Sequence, residues 1–369
     1  MKYSEFLKTN ASGSDYVFLI AEIGKNFIDV EVEETESVLL SKAIRLVKAA
    51  KKAGADAVKF QTHCVADEVL PLEFSSPHFA GVDRYRWVKR NEEATSLDSF
   101  WRPLKNACQT IGIEFFSTPM SKGAAIKLEQ LGVDLWKVGS ADLSDYLLTN
   151  FLTSTGKPII VSSGMVSLQE LKTHISTYSR LGSRPAILYC VSKYPCQPSD
   201  FNLATIQHFT KTYPGNVIGF SDHSVNSHFP ALCAVKLGAR IIEKHFTMDR
   251  NSWGSDHKAS LMPQEYADMV EAVRNGVEGI AVPEAILGEF DRELEGATNI
   301  YRKYFEKGLV IASPLRQGDR FEVGHFSAMR PHMHIPIPAS DLFNILGAKA
   351  TRDISIGEIL TSESIERYL

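Results

Sequence analysis

Two short phrases carry the residues best suited to hold a metal: Ser221-Asp222-His223-Ser224 and Glu243-Lys244-His245-Phe246. Imidazole nitrogens suit Mn, Fe, Co or Zn better than Mg or Ca. His223 and His245 therefore read either as a shared metal pair or as two hydrogen-bonded structural histidines. A second set joins cations to hydroxyls: Lys59, Thr118, Lys137, Ser140, Ser162, Ser192 and Ser221. An ammonium group offers a point charge and three donors, and hydroxyls add further donors, a combination that suits a phosphate or a phosphorylated carboxylate. The carboxylates Glu22, Asp142, Asp222, Glu243 and Asp256 can accept substrate hydroxyls or orient the imidazoles.

These residues recur at the ends of short apolar runs. Eight runs read as strands: Val17 to Ile23, Asp56 to Gln61, Ile113 to Thr118, Leu135 to Ser140, Pro158 to Ser163, Ala186 to Val191, Asn216 to Ser221 and Arg240 to Phe246. Helix-period segments separate them, and several close on a glycine suited to ending a helix. Alternation of strand and helix predicts a parallel sheet, and eight units predict a (β/α)8 TIM barrel, with a doubly wound open sheet as the rival. In such a barrel the C-terminal strand ends form one face, which gathers the candidate residues at one place.

The stretch from Cys64 to Ser96 reads as a loop over that face or a subunit contact. The organisation expected is a barrel over residues 1–285, a linker over 286–306 and a small β-rich domain over 307–369. Within that tail, SPLRQGDRFEVGHF and RDISIGEILTSESI are near-parallel phrases, a sign of internal duplication.

Composition closes off other classes. With 40 basic against 44 acidic residues and a formal charge of -4, there is no basic footprint for nucleic acid. No apolar run reaches the length of a membrane span and the first residues lack a signal-peptide pattern, so a cytoplasmic protein is expected. Five scattered cysteines without a CxxC pair argue against a disulfide framework or a thiolate zinc site and for packed, reduced thiols.

The ordered phrases AEIGKN, AGADAVKFQT, FFSTP, WKVGSAD, GKPIIVSSGM, YCVSKYP, IGFSDHS, IEKHFT and GSDHKASL resemble the sialic acid synthase family, in order from about Val17 to Glu289. The tail from about Lys307 resembles that family's antifreeze-like (SAF, β-clip) domain. The resemblance implies a transferase of the N-acetylneuraminate synthase type. Such an enzyme condenses phosphoenolpyruvate with an N-acetylated amino-sugar aldehyde, N-acetylmannosamine or a close relative, and water. The products are a nine-carbon 2-keto acid and phosphate. Legionaminic or pseudaminic acid synthase, acting on a 6-deoxy-diacetamido hexose, is the alternative.

Carried over residue by residue, the resemblance assigns Lys59, Thr118, Lys137, Ser140, Ser162, Ser192 and Ser221 to phosphoenolpyruvate. It assigns Glu22, Gln61, Tyr194 and Asp256 to sugar hydroxyls and Arg330 to the N-acetyl group, with Asp142 among the substrate contacts. Glu22, Lys59, Lys137, His223 and His245 form the catalytic set. His223 and His245 would hold a divalent metal, Mn2+ first, with Mg2+ or Co2+ as alternatives. The family also implies a domain-swapped homodimer, the tail of each subunit covering its partner's barrel.

The pattern departs at several places. The family's Asn-His-Asn-Gly is Asn26-Phe27-Ile28-Asp29, a change expected to alter a loop beside the sugar site. Trp253-Gly254-Ser255-Asp256 adds an aromatic near the mouth, and the turn after Arg330 runs Pro331-His332-Met333-His334 without its glycine. Family members often carry asparagine at Ser192. Two rivals from other classes are a non-catalytic sugar- or phosphate-binding protein and a metal-dependent aldolase using pyruvate.

Overall fold

The computed structural model describes residues 1–28, 33–76, 81–193, 196–225, 227–254, 256–290 and 299–366. Eight parallel strands, β1 (Phe18–Gly24), β2 (Ala57–Thr62), β3 (Glu114–Pro119), β4 (Trp136–Val138), β5 (Ile159–Ser162), β6 (Ala186–Cys190), β7 (Ile218–Asp222) and β8 (Ile241–His245), pair in the order β3-β2-β1-β8-β7-β6-β5-β4. The first and last of this series, β3 and β4, lie side by side, so the sheet is a nearly closed barrel rather than an open one. β4 is short because Gly139 and a 3-10 turn over Ser140–Asp142 take over after Val138.

Alternation along the strands explains how one barrel can be both a core and a site. Side chains of a strand point alternately to its two faces. The inward positions Phe18, Ile20, Ala57, Phe116, Leu135, Ile160, Ala186, Leu188 and Ile241 form a dry lower core. Helix α1 (Tyr3–Ala11) plugs its base, where Tyr3 meets the Phe18 ring edge-on at 5.3 Å. Continuing the same alternation upward reaches Glu22, Lys59, Gln61, Thr118, Lys137, Ser162, Cys190, Ser221, Glu243 and His245. The lower layers bury apolar area, which stabilises the fold; the upper layers are polar and face a cavity.

Outward positions such as Leu19, Val58, Phe60 and Trp136 pack against the helical ring. That ring includes α2 (Glu36–Lys52), α3 (Arg84–Glu93), α4 (Arg102–Ile111), α5 (Lys122–Leu131), α6 (Tyr146–Ser154), α7 (Leu168–Arg180), α8 (Ala204–Thr212), α9 (Phe229–Lys236) and α10 (Pro263–Arg274). No helix among the described residues is long and apolar enough to cross a membrane.

The stretch expected as a loop from Cys64 to Ser96 contains α3. Asp83 caps it by accepting from the Arg86 amide at 2.7 Å, and Arg84, Trp87, Val88 and Asn91 are buried at helical spacing. The charged composition hid a short apolar stripe. Beyond α10 the chain runs along α8, with the Leu203 amide donating to Ile286 O at 3.0 Å. After α11 (Glu284–Leu287) and α12 (Arg302–Phe305), β9 (Gly308–Ile311) and β10 (Phe326–Met329) form a two-stranded antiparallel sheet.

The two duplicated phrases of the tail pair with each other. Leu315 and Ile354 exchange amide-to-carbonyl bonds of 3.0 and 2.8 Å, and Gly318 and Gly357 sit at matching turns with φ of +90° and +80°. Their apolar residues build a second core that includes Tyr146 and Leu147 of α6, which docks the tail on the barrel.

Candidate active site

One cavity of about 220 Å³ opens at the C-terminal strand ends. Glu22, Lys59, Gln61, Thr118, Lys137, Ser140, Asp142, Ser162, Ser192, Ser221, His223, His245, Asp256 and Arg330 all line it. Tyr194 lies outside the described residues.

At the floor, Lys59 Nζ stands 2.7 Å from Glu22 Oε2 and 3.8 Å from Glu243 Oε1, and donates to Thr118 Oγ1 at 3.1 Å. Gln61 donates to the other Glu22 oxygen at 3.0 Å. Lys137 Nζ donates to Ser162 Oγ at 2.6 Å and to Val138 O at 3.0 Å, and Ser221 Oγ donates to Glu243 Oε1 at 3.1 Å. Burial works against the Lys59 ammonium, but the adjoining carboxylates of Glu22 and Glu243 outweigh it and hold its pKa above the ordinary lysine value. Burial dominates at Lys137 and lowers its pKa. Burial also lifts the Glu22 carboxyl above the usual carboxylate range, with Lys59 opposing. Two ammonium groups in a water-poor pocket, facing hydroxyls, form a strong anion subsite.

His223 and His245 face each other with ring centroids 5.4 Å apart. The Nδ1 of His223 lies 3.1 Å from Val191 O and 3.8 Å from Cys190 Sγ, which leaves Nε2 as its other ring nitrogen. The buried Nδ1 of His245 and the Oε2 of Glu243 have no hydrogen-bond partner among the described residues. A buried polar atom without a protein partner is costly unless something else meets it. No group of three or more His, Cys, Asp or Glu among the described residues is arranged to hold a metal ion. The imidazole pair nonetheless fits a divalent cation held by two protein ligands, a donor set that would leave further positions to water or substrate.

Other lining residues escaped the sequence reading. Cys190, expected among the packed thiols, instead faces the cavity beside Ser192, at a sulfur-to-oxygen distance of 3.9 Å. Period-two counting from Ala186 and Leu188 is the signal that places it inward. Lys25, His63, Arg84, Trp87, Met165, His257, Tyr301 and Phe305 also line the cavity. They come from loops, α3 and α12, where no periodicity marks orientation. The departures after β1 divide: Ile28 lines the cavity, whereas Phe27 is buried against Phe100 at 5.1 Å and belongs to the core. Trp253 meets Trp87 edge-on at 5.7 Å.

Arg330 enters the cavity from the tail of the same chain, only 2% exposed, and donates to Asp142 Oδ1 at 2.5 Å. Its backbone is held by the Leu70 amide, which donates to Arg330 O at 2.9 Å, and by Glu68 O, which accepts from its own amide at 2.9 Å. Lys307 completes the seam, 2.9 Å from Asp142 Oδ1 and 2.9 Å from Asp145 Oδ2.

A barrel whose upper layer couples a lysine pair, a hydroxyl ring and two imidazoles invites comparison with known proteins, and the NeuB family profile matches residues 46–281. The chain belongs to the NeuB family. N-acetylneuraminate-9-phosphate synthase of Mus musculus is 31% identical over 363 residues, 96% of this chain and 94% of that protein. N,N'-diacetyllegionaminic acid synthase of Legionella pneumophila is 30% identical over 95% of this chain and 94% of its own. The crystal structure of spore coat polysaccharide biosynthesis protein SpsE from Bacillus subtilis matches with a TM-score of 0.74 at 28% identity, covering 96% of each chain. The named relatives set this NeuB-family protein among enzymes that make sialic-acid-type sugars.

Proposed function

We propose that this protein condenses phosphoenolpyruvate with the open-chain aldehyde of an N-acetylated hexosamine, N-acetylmannosamine or a close relative, and water. The products are a nine-carbon 2-keto acid and phosphate. The observation that carries the reading is the buried pair Lys59 and Lys137, ringed by hydroxyls, facing the His223–His245 pair across one cavity.

In this reading Lys59, Lys137, Thr118, Ser140, Ser162, Ser192 and Ser221 hold the carboxylate and phosphate of the donor and keep its C3 turned to the acceptor. Glu22, Gln61 and Asp256 take the acceptor's hydroxyls, and Arg330, oriented by Asp142, takes its acyl oxygen. His223 and His245 would hold a divalent cation, which supplies Lewis-acid polarisation of the aldehyde when bound. Donor C3 bonds to the aldehyde carbon, water adds at donor C2, and the C2–O bond breaks to release phosphate. Lys59 and Lys137 meet the charge that gathers on the departing phosphate. As a cytoplasmic homodimer with exchanged tails, the protein would make the same Arg330–Asp142 pairing between chains.

A 6-deoxy-diacetamido hexose is the second reading for the acceptor, favoured by the apolar wall of Ile28, Trp87, Trp253, Tyr301 and Phe305. Phosphate release from phosphoenolpyruvate is measured with N-acetylmannosamine and with the 6-deoxy sugar, after chelation and again with Mn2+ restored. Metal-restored release with one sugar supports the reading and selects the acceptor. Release that needs no acceptor, or none with either sugar, overturns it; an equal response to pyruvate as donor favours an aldolase.

A further inference from the structure

A buried ion pair stands directly behind the imidazole pair, at positions where the barrel is otherwise apolar. Along β7 and β8 the inward residues Ser221, Glu243 and His245 line the cavity, as does His223 one residue past β7. Phe220 and Ile242 alternate with them and pack outward into the core. Asp222 and Lys244 take the next outward positions, opposite each other in the β7–β8 register, and both side chains are fully buried. Lys244 Nζ stands 3.2 Å from Asp222 Oδ2. Neither residue lines the cavity, which puts Asp222 out of reach of substrate hydroxyls.

The contacts of this pair close around His223. Lys244 donates to Ser224 O at 2.6 Å and to Ser224 Oγ at 2.9 Å. With Asp222, these partners use the three donors of an ammonium group. Asp222 Oδ1 accepts from the Ser224 amide at 2.7 Å, and its Oδ2 accepts from Ser224 Oγ at 3.0 Å. His223 is thus held between two residues fixed to one ammonium, and that ammonium belongs to the residue just before His245. The register between β7 and β8 runs from Gly219 opposite Ile241 to Asp222 opposite Lys244, so the ion pair extends the cross-strand tie from its last rung to the two histidines. A packed apolar pair of similar volume often gives a core as much stability as a buried ion pair, or more. The pair therefore calls for a reason in geometry rather than in stability.

We infer that Asp222 and Lys244 are positioning residues that set the spacing and direction of the His223 and His245 imidazoles for one divalent cation. The inference rests on the metal role given to those imidazoles in the proposed function and names what holds them in place. Metal-to-nitrogen bonds of about 2.1 Å tolerate errors of only about 0.2 Å, so two ligands on different strands need those strands fixed against each other. The ring of His223 is steered by Val191 O, 3.1 Å from its Nδ1. The Nδ1 of His245 has no hydrogen-bond partner among the described residues, and its placement comes from the backbone of β8, which Lys244 ties to the end of β7.

The test measures Mn2+ binding to the full chain without substrates, from the electron paramagnetic resonance signal of free Mn2+, beside urea midpoints of the metal-free protein. His223→Ala, expected to abolish binding, defines the site. Replacing both partners together, Asp222→Leu with Lys244→Met, is expected to keep the urea midpoint near that of the wild type and to raise the Mn2+ Kd about tenfold or more. Lys244→Arg keeps the charge but puts a planar fork in place of a compact ammonium, and is expected to weaken Mn2+ binding in the same direction. In the phosphate-release assay the double variant should need a correspondingly higher Mn2+ concentration for half-maximal turnover, while its Kd for phosphoenolpyruvate moves far less. A folded double variant with the wild-type Mn2+ Kd overturns the inference and leaves the proposed reaction standing. So does a double variant that is unfolded without metal, which assigns the pair to stability. Wild-type protein that binds no Mn2+, or Mn2+ binding that His223→Ala leaves unaltered, overturns the metal role of the imidazole pair itself.

Discussion

The cavity is built in two halves by different means. Lys59, Thr118, Lys137, Ser162, Ser221, His223 and His245 stand on strand ends or one residue beyond, held by the ladder of the barrel. Lys25, Arg84, Trp87, Trp253, Tyr301, Phe305 and Arg330 arrive from loops, from helices of the connections and from the tail. The first half presents charges and hydroxyls of the kind that hold a small phosphorylated acid. The second mixes aromatic walls with cations and suits a larger, variable partner. The contrast teaches that a barrel can fix its chemistry in the rigid sheet while leaving acceptor choice to connections that change without disturbing it.

Removing a charge from the strand-borne half is expected to have the largest effect. Lys137→Met should lower kcat/KM for phosphoenolpyruvate by about 1,000-fold, measured by steady-state phosphate release, with the KM of the acceptor little changed. A fall of similar size in both KM values would mean the halves are not separate.

Gly164 offers a steric version of the same cut. A Cβ there would lie 2.4 Å from Ser192 Oγ and 2.9 Å from both Cys190 Sγ and Ser140 Oγ, and its amide donates to Ser140 at 3.0 Å. Gly164→Ala should therefore displace the hydroxyls and cost about 100-fold in kcat/KM for the donor. Unchanged donor kinetics in that variant would remove Ser140 and Ser192 from the donor site.

Arg330→Met cuts the other half. The KM for the acceptor is expected to rise about tenfold while the donor KM stays close to the wild-type value; a donor-only defect would reverse the assignment.

The smallest effect belongs to the base of the barrel, a control remote from both halves. Burial lifts the Glu114 carboxyl to about 7, even though it accepts from the Tyr3 amide at 2.5 Å. Its folded pKa lies above the unfolded value near 4.3. Its stabilising contribution is therefore full below that lower value and is lost as pH rises through the window from about 4.3 to about 7. Glu114→Gln should raise stability by about 1 kcal/mol at pH 8 and by less at pH 5, read from urea midpoints, with turnover unaltered. A variant less stable at pH 8 would show that the carboxylate is favoured in place.

What the sequence disclosed follows the same division. The strands were legible because both of their faces are buried, which writes near-continuous apolar runs, and their observed ends fall within two residues of the reading. The polar residues closing each run were legible as one face because the barrel aligns strand ends. Cys190 is readable by the same alternation, although its residue type alone points to a packed thiol. Arg84 and Trp87 were not readable as cavity residues: α3 is rich in charge, and its buried stripe is only one helical face. Phe27 shows the converse, a departure beside the site whose side chain turns into the core. Tyr301 and Phe305 line the cavity from the segment between α11 and β9, where long-range packing and not local pattern sets orientation.

The most direct test of the account is the fate of the bridging oxygen of phosphoenolpyruvate. Donor labelled with 18O at that position is incubated with the Mn2+-restored protein and an N-acetylated hexosamine acceptor, and phosphate and keto acid are analysed by mass. The account predicts the label in phosphate, one equivalent of nine-carbon acid per phosphate, and no release without acceptor. Label retained in the organic product, or phosphate released in the absence of acceptor, would contradict it.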